Sequence, residues 1–254
     1  MVSKSFVTTR LGQLLFTLWA VAINAARLPF WMVYFIPSFL RQNPKWSYSQ
    51  AVKIRILKAF LSFLATIEVR TPTKLVPKKE GERFVTIKPG NSDKYIGVVA
   101  QDKEIRPETI GGTWYPNRPS SASAVGNVVL HFHGGAYVIG DGRTSDAGFA
   151  AKTFIGNTSA THVFAPQYRL ASNPGGRFPA FLQDAITSFL YLTETLNIPA
   201  TKVTVSGDSA GGHLCLSLLR YLADNPNANI LNPVCAWIWS PWVNPVSTPN
   251  SQST

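Results

Sequence analysis

Residues 202–224, KVTVSGDSAGGHLCLSLLRYLAD, set a β-branched run directly against a glycine-rich turn and a helical stretch, with Ser209 at the turn. Gly207 and Gly211 stand two positions before and two after it, so strand and helix can approach with almost no side chain between them. A serine on so tight a turn projects its hydroxyl above the sheet. The helix N-terminus that follows bares amide donors and partial positive charge where a developing oxyanion would sit. Ser209 is therefore the candidate nucleophile, Ala210 a candidate oxyanion donor, and Asp208 a structural hydrogen-bond acceptor in the turn rather than a catalytic acid.

A second glycine-rich turn, HFHGGAYVIGDG, strengthens that reading. Gly134 and Gly135 follow the apolar run NVVLHFH, and glycine lets a main chain turn its N–H groups toward a substrate unobstructed. Gly134 and Gly135 are the expected partners of Ala210 in an oxyanion hole, with His133 holding the loop. Such donors matter, since losing one costs about 10²- to 10³-fold in rate. A GxSxG alone is weak. Two such turns, each after a strand and in the order oxyanion loop then nucleophile, rarely arise by chance.

The surrounding pattern fixes the class. RFVTIK, TIGGTWYP, NVVLHFH, THVFAP, KVTVS and VCAWIWS read as strands, and residues 144–155, 178–196 and 209–224 as helices. This alternation predicts an α/β fold with a mostly parallel sheet and helices on both faces. The two cysteines, Cys215 and Cys235, lie in apolar surroundings and read as buried thiols, supporting neither a disulfide framework nor a metal site.

Upstream the texture differs. The net charge of +11 is lopsided: residues 1–80 hold twelve Lys and Arg against Glu68 and Glu80, a net +10. The same region is the apolar one, for residues 11–40 carry a single formal charge, Arg27. Apolar and basic character together point to an anionic lipid surface through residues 1–67 rather than to nucleic acid. Residues 11–26 fall short of the roughly 20 residues a spanning helix needs, and Pro29 and Pro37 are expected to kink or end a helix. Three readings stay open for this start: a membrane anchor or peripheral insertion, a cleaved signal, and a cap helix. Residues 46–67 read as a helix with Val52, Ile56, Ala59, Phe60 and Phe63 on one stripe. The organisation expected is a hydrophobic basic segment over residues 1–45, an amphipathic helix and linker over 46–80, and the α/β domain over 81–254.

HFHGGAYV, YRLASNPGGRFPAFLQDA, GDSAGG and WSPWV, in that order, resemble the hormone-sensitive-lipase-like branch of the α/β hydrolases, with fungal steryl-acetate and arylacetamide deacetylases the most similar members. The resemblance covers about residues 80–243. It implies the α/β-hydrolase fold and a serine carboxylic ester hydrolase acting on neutral acetyl or short-acyl esters through an acyl-enzyme, without a cofactor. It also implies membrane association at the endoplasmic reticulum. Ala136 stands where the family usually has a third glycine.

That family's triad runs Ser, then Asp or Glu, then His along the chain. After Ser209 the sequence holds one acid, Asp224, and one histidine, His213. Asp224 follows the helix instead of a later strand, and His213 lies one turn along the serine's own helix, unsuited as base. The sheet is expected to lack its last strands, to expose an edge that favours aggregation, and to turn over poorly, because a serine without its base is a poor nucleophile. The alternative function is non-catalytic small-molecule binding, as in the plant hormone receptor of the same family that lost its catalytic histidine. Of the remaining polar residues, His131 and His162 suit structural roles, Asp141 and Arg143 read as loop caps or entrance residues, and Tyr168 and Arg169 as loop-ordering groups. Asn157 heads a glycan sequon if this part of the chain is lumenal.

Overall fold

Six β-rich segments pair into one sheet in the order β1-β2-β4-β3-β5-β6. The computed structural model describes residues 10–67 and 71–244. The strands are β1 (Phe84–Ile87), β2 (Ile110–Tyr115), β3 (Asn127–Phe132), β4 (Ala160–Gln167), β5 (Val203–Asp208) and β6 (Cys235–Trp239). β4, β3, β5 and β6 pair in parallel, whereas β1 pairs with β2 and β2 with β4 antiparallel. The sheet is thus mostly parallel, as its sequence pattern suggested, with β2 alone running against the other five strands. No α-helix separates β1, β2 and β3, and a parallel neighbour needs a long crossover, usually helical.

The parallel strands are bounded by α3 (Thr144–Asn157), α4 (Ala180–Leu190, followed by a π-turn over Tyr191–Thr195) and α5 (Ala210–Asp224). Alternation along β3 sends Val128, Leu130 and Phe132 into the core shared with α4 and α5, and Val129 into a smaller core under α3. Every residue of α4 is buried. Its polar groups are satisfied locally: Gln183 Nε2 donates to the Val99 and Ile105 carbonyls, and Asp184 accepts from the Arg169 amide and guanidinium. β6 is an edge strand, and Cys235 on it is exposed, unlike the buried Cys215. Its apolar sequence neighbours suggested burial; the open sheet edge decides otherwise.

The chain divides into two compact units, residues 1–69 and 70–254. In the first, α1 (Arg10–Tyr34) and α2 (Tyr48–Thr66, with Ser47 accepting from the Gln50 amide) run antiparallel. Gln13 donates to the Ile67 carbonyl at one end, and the Arg55 guanidinium lies 4.6 Å over the Trp31 ring at the other. Pro29, expected to kink or end the helix, does not end it: α1 continues to Tyr34. An internal proline costs about 3 kcal/mol. Burying Trp31 and Phe35, one turn apart, against Ala51 gives back about 1.5–3 kcal/mol for each aromatic side chain, enough to offset it. The uninterrupted helix, Leu11–Tyr34, is long and apolar enough to cross a membrane, and most of its surface is open.

Candidate active site

β5 delivers its chain to the C-terminal end of the parallel strands, and the next residue, Ser209, turns with φ 51° and ψ −115° before α5 begins. That positive φ is a conformation side chains rarely adopt, and the surroundings enforce it. A Cβ on Gly207 would fall on the Gly211 carbonyl, and one on Gly211 on the Phe132 carbonyl, so the strand–turn–helix can close only around glycine. The end of β6 fastens the turn from outside. The Ser209 amide donates to the Trp239 carbonyl at 3.0 Å, and the Trp242 amide donates to the Ser209 carbonyl at 3.0 Å. This clamp from the WSPWV segment is a contribution that sequence reasoning did not assign.

The glycine loop meets the turn through Asp208. Its Oδ1 accepts the Gly134 amide at 2.9 Å. Gly134 was expected to offer that amide to an oxyanion, but the half-exposed Asp208 carboxylate already occupies it. Burial of part of this carboxyl raises its pKa. Beyond Gly134 the loop turns through Gly135 at φ 111°, Ala136 at φ 56° and Tyr137 at φ 59°. The Gly135 carbonyl accepts the Val138 and Ile139 amides. Among the described residues no acceptor meets the Gly135 or Ala136 amide, and Ala210, first in α5, has the free amide of any helix start.

His133 is buried beneath the loop. Its Nδ1 donates to the Gly134 carbonyl at 2.6 Å, its ring stacks on Tyr168 at 4.4 Å, and the Tyr168 hydroxyl donates to its carbonyl at 2.6 Å. Tyr168 thus braces the loop from the end of β4, a role legible in the sequence only as an aromatic residue closing a strand. Burial pushes the imidazoles of His131 and His133 down to about 4, so both are neutral near pH 7. His131 Nε2 stands 3.8 Å from Asp208 Oδ1, but this is no ion pair, because buried His131 carries no charge there.

No described side chain hydrogen-bonds the Ser209 hydroxyl. His213 Nδ1 is engaged by the Tyr137 hydroxyl at 2.7 Å, and burial lowers its pKa. Asp224 pairs with Arg220 in an exposed position at 3.1 Å. His162 is partly exposed and touches Thr161. Arg143, Asp141 and Arg169 belong to the scaffold. The Arg143 guanidinium donates to the carbonyls of Lys74, Val76 and Pro77, and Asp141 accepts from Arg143. No group of three or more His, Cys, Asp or Glu side chains among the described residues could hold a metal.

Residues 129–254 match the family model described as alpha/beta hydrolase fold. Over 117 residues the chain is 33% identical to an acetyl-hydrolase of Streptomyces hygroscopicus, covering 46% of this chain and 36% of that protein. Over 101 residues it is 36% identical to an ethyl acetate hydrolase of Pseudomonas putida, covering 39% of this chain and 30% of that protein. The match thus spans about a third of the length of these relatives. Among solved structures, the ester hydrolase EH1AB1 from the Lake Arreo metagenome is 18% identical, with a TM-score of 0.46, covering 100% of this chain and 63% of that one. By its mixed sheet, its strand–serine–helix turn and its family match, the chain carries an alpha/beta hydrolase fold.

Proposed function

We propose that Ser209 is the nucleophile of a carboxylic ester hydrolase acting on neutral acetyl or short-acyl esters. The observation that carries this is the Ser209 backbone, held at φ 51° between two glycines, together with a glycine loop whose Gly135 and Ala136 amides meet no acceptor among the described residues. The relatives named acetyl-hydrolase and ethyl acetate hydrolase support the substrate class. In the reaction, the serine oxygen attacks the ester carbonyl and the oxyanion gathers the amides of Gly135 and Ala210, with Ala136 in the place first given to Gly134. The alcohol then leaves with the serine's proton, and water releases the acid from the acyl-serine while returning a proton to the serine oxygen. The oxyanion donors are neutral backbone groups, which suits an uncharged substrate.

Making the serine attack needs a base. His213 is committed to Tyr137 and Asp224 to Arg220, so among the described residues no base reaches Ser209. The expected turnover of this chain on nitrophenyl acetate is therefore a residual rate set by the oxyanion hole and binding. Ordinary esterase turnover that Ser209→Ala abolishes would overturn the impaired reading. The base-free serine also favours a second reading, a binding site for neutral esters. Saturable binding of a non-hydrolysable ester analogue to the Ser209→Ala protein, without turnover by the parent chain, would establish it.

We also propose that residues 1–67 meet a membrane surface. They hold eight Lys and Arg and no Asp or Glu, and Leu14, Leu18, Phe30, Val33 and Phe60 are exposed on α1 and α2. The full chain should float with vesicles containing phosphatidylserine and less with phosphatidylcholine alone, an anionic preference that fades in high salt. Equal recovery without vesicles sinks the idea.

A further inference from the structure

Ala136 and Tyr137 are consecutive non-glycine residues with positive φ, 56° and 59°, a conformation the loop would leave unless something held it. The Tyr137 side chain leaves the loop and crosses to α5. Its ring stacks on Phe181 at 4.2 Å, and its hydroxyl meets His213 Nδ1 at 2.7 Å, donating when the imidazole carries its proton on Nε2. Phe181 belongs to α4 and His213 to the first turns of α5, whose amide donates to the Ser209 carbonyl. Asp208 ties the near side of the same loop, through Gly134. The loop is therefore pinned at two points, with the unclaimed Gly135 and Ala136 amides between them.

We infer that Tyr137 and His213 form a positioning pair that locks the loop against α5, so that the Gly135 and Ala136 amides and the Ala210 amide face one point above Ser209. Neither side chain touches the reacting atoms; each acts through the backbone it fixes. His213 is thus assigned to the oxyanion loop rather than to proton transfer. The inference rests on the reading of Gly135, Ala136 and Ala210 as oxyanion donors.

Amide hydrogen exchange on the full chain tests it, because Gly134, Val138 and Ile139 are protected only by bonds within this loop and to Asp208. Tyr137→Phe and His213→Leu should each speed exchange at these amides about five- to tenfold, as expected for one lost hydrogen bond, while β3 and β5 stay as slow as before. His213→Gln, which keeps an acceptor, should restore slow exchange. Unchanged exchange in the loop overturns the pair, and so does a uniform rise across β3 and β5, which would mean general packing. Residual nitrophenyl acetate hydrolysis by the parent chain is scored separately. A residual rate that Ser209→Ala leaves unchanged counts against the nucleophile reading, whereas the exchange pattern alone decides the pair.

Discussion

Ser209 holds a backbone conformation that costs a non-glycine residue about 1–3 kcal/mol, and it does so because glycine is spent on either side, where side chains cannot fit at all. His131 on β3 and His133 just beyond it are buried as well. His131 and His133, whose ordinary value is about 6.5, are held by burial down to about 4. Between those values the unfolded chain carries a proton on each ring that the folded chain does not. Their stabilising effect is therefore present above about pH 6.5 and is lost as the pH falls toward 4. Urea unfolding at pH 7 and pH 4.5 should show the parent chain losing on the order of 2 kcal/mol more than His131→Asn over this interval. Asp184, whose value burial also raises, shifts both proteins equally and drops out of the difference. An equal loss in both proteins would show that His131 does not sense burial.

Between elements, the contacts that matter come from far along the chain. The N-terminus of α3 is satisfied by Glu80, which accepts the Thr144 amide and hydroxyl and is paired with Arg83. A carboxylate at this end also complements the helix dipole. Just before α3, buried Arg143 gathers the carbonyls of Lys74, Val76 and Pro77, and Asn173 donates to the Thr71 carbonyl, tying the strap over residues 71–77 onto the domain. Arg143→Met should release this strap. Trypsin cleavage after Lys74 should accelerate at least about tenfold, since buried hydrogen bonds to a charged group contribute about 1.5–3 kcal/mol each. Cleavage at the parent rate would show that the strap is held by something else. The sequence pointed to Arg143 as a loop cap or entrance residue; its partners lie 66 to 69 positions away, beyond the reach of any local signal.

At the scale of the molecule, α4 and α5 cover one face of the sheet, while α3 is the described helix over the other. A cleft of about 260 Å³ opens there between α3 and β6, lined by His131, Asp146, Phe149, Asp208 and Trp239. Among the described residues no strand pairs with the outer edge of β6, and Val234 is 58% and Trp239 52% exposed beside it. An apolar edge of this kind recruits other strands. The chain should associate with rising concentration in sedimentation velocity, and Val234→Lys together with Trp239→Lys should reduce that association severalfold. A monomer at every concentration would remove the edge as a cause.

The sequence by itself determined the elements and the tight glycine-flanked turn at Ser209. Strand and helix periods are local, and the glycines around Ser209 and in the 134–135 turn announce close backbone approach wherever they occur. Tertiary structure decided what each group is committed to. Gly134, legible as a bare amide, is claimed by an aspartate 74 residues away; His213, legible as a histidine beside the serine, is claimed by Tyr137. Pro29, legible as a breaker, sits within a helix because Trp31 and Phe35 find Ala51, and Cys235 is exposed because its strand is an edge. A residue's type and spacing fix what it can donate, accept or break, while only the folded chain brings the distant partner that uses up that capacity or leaves it free.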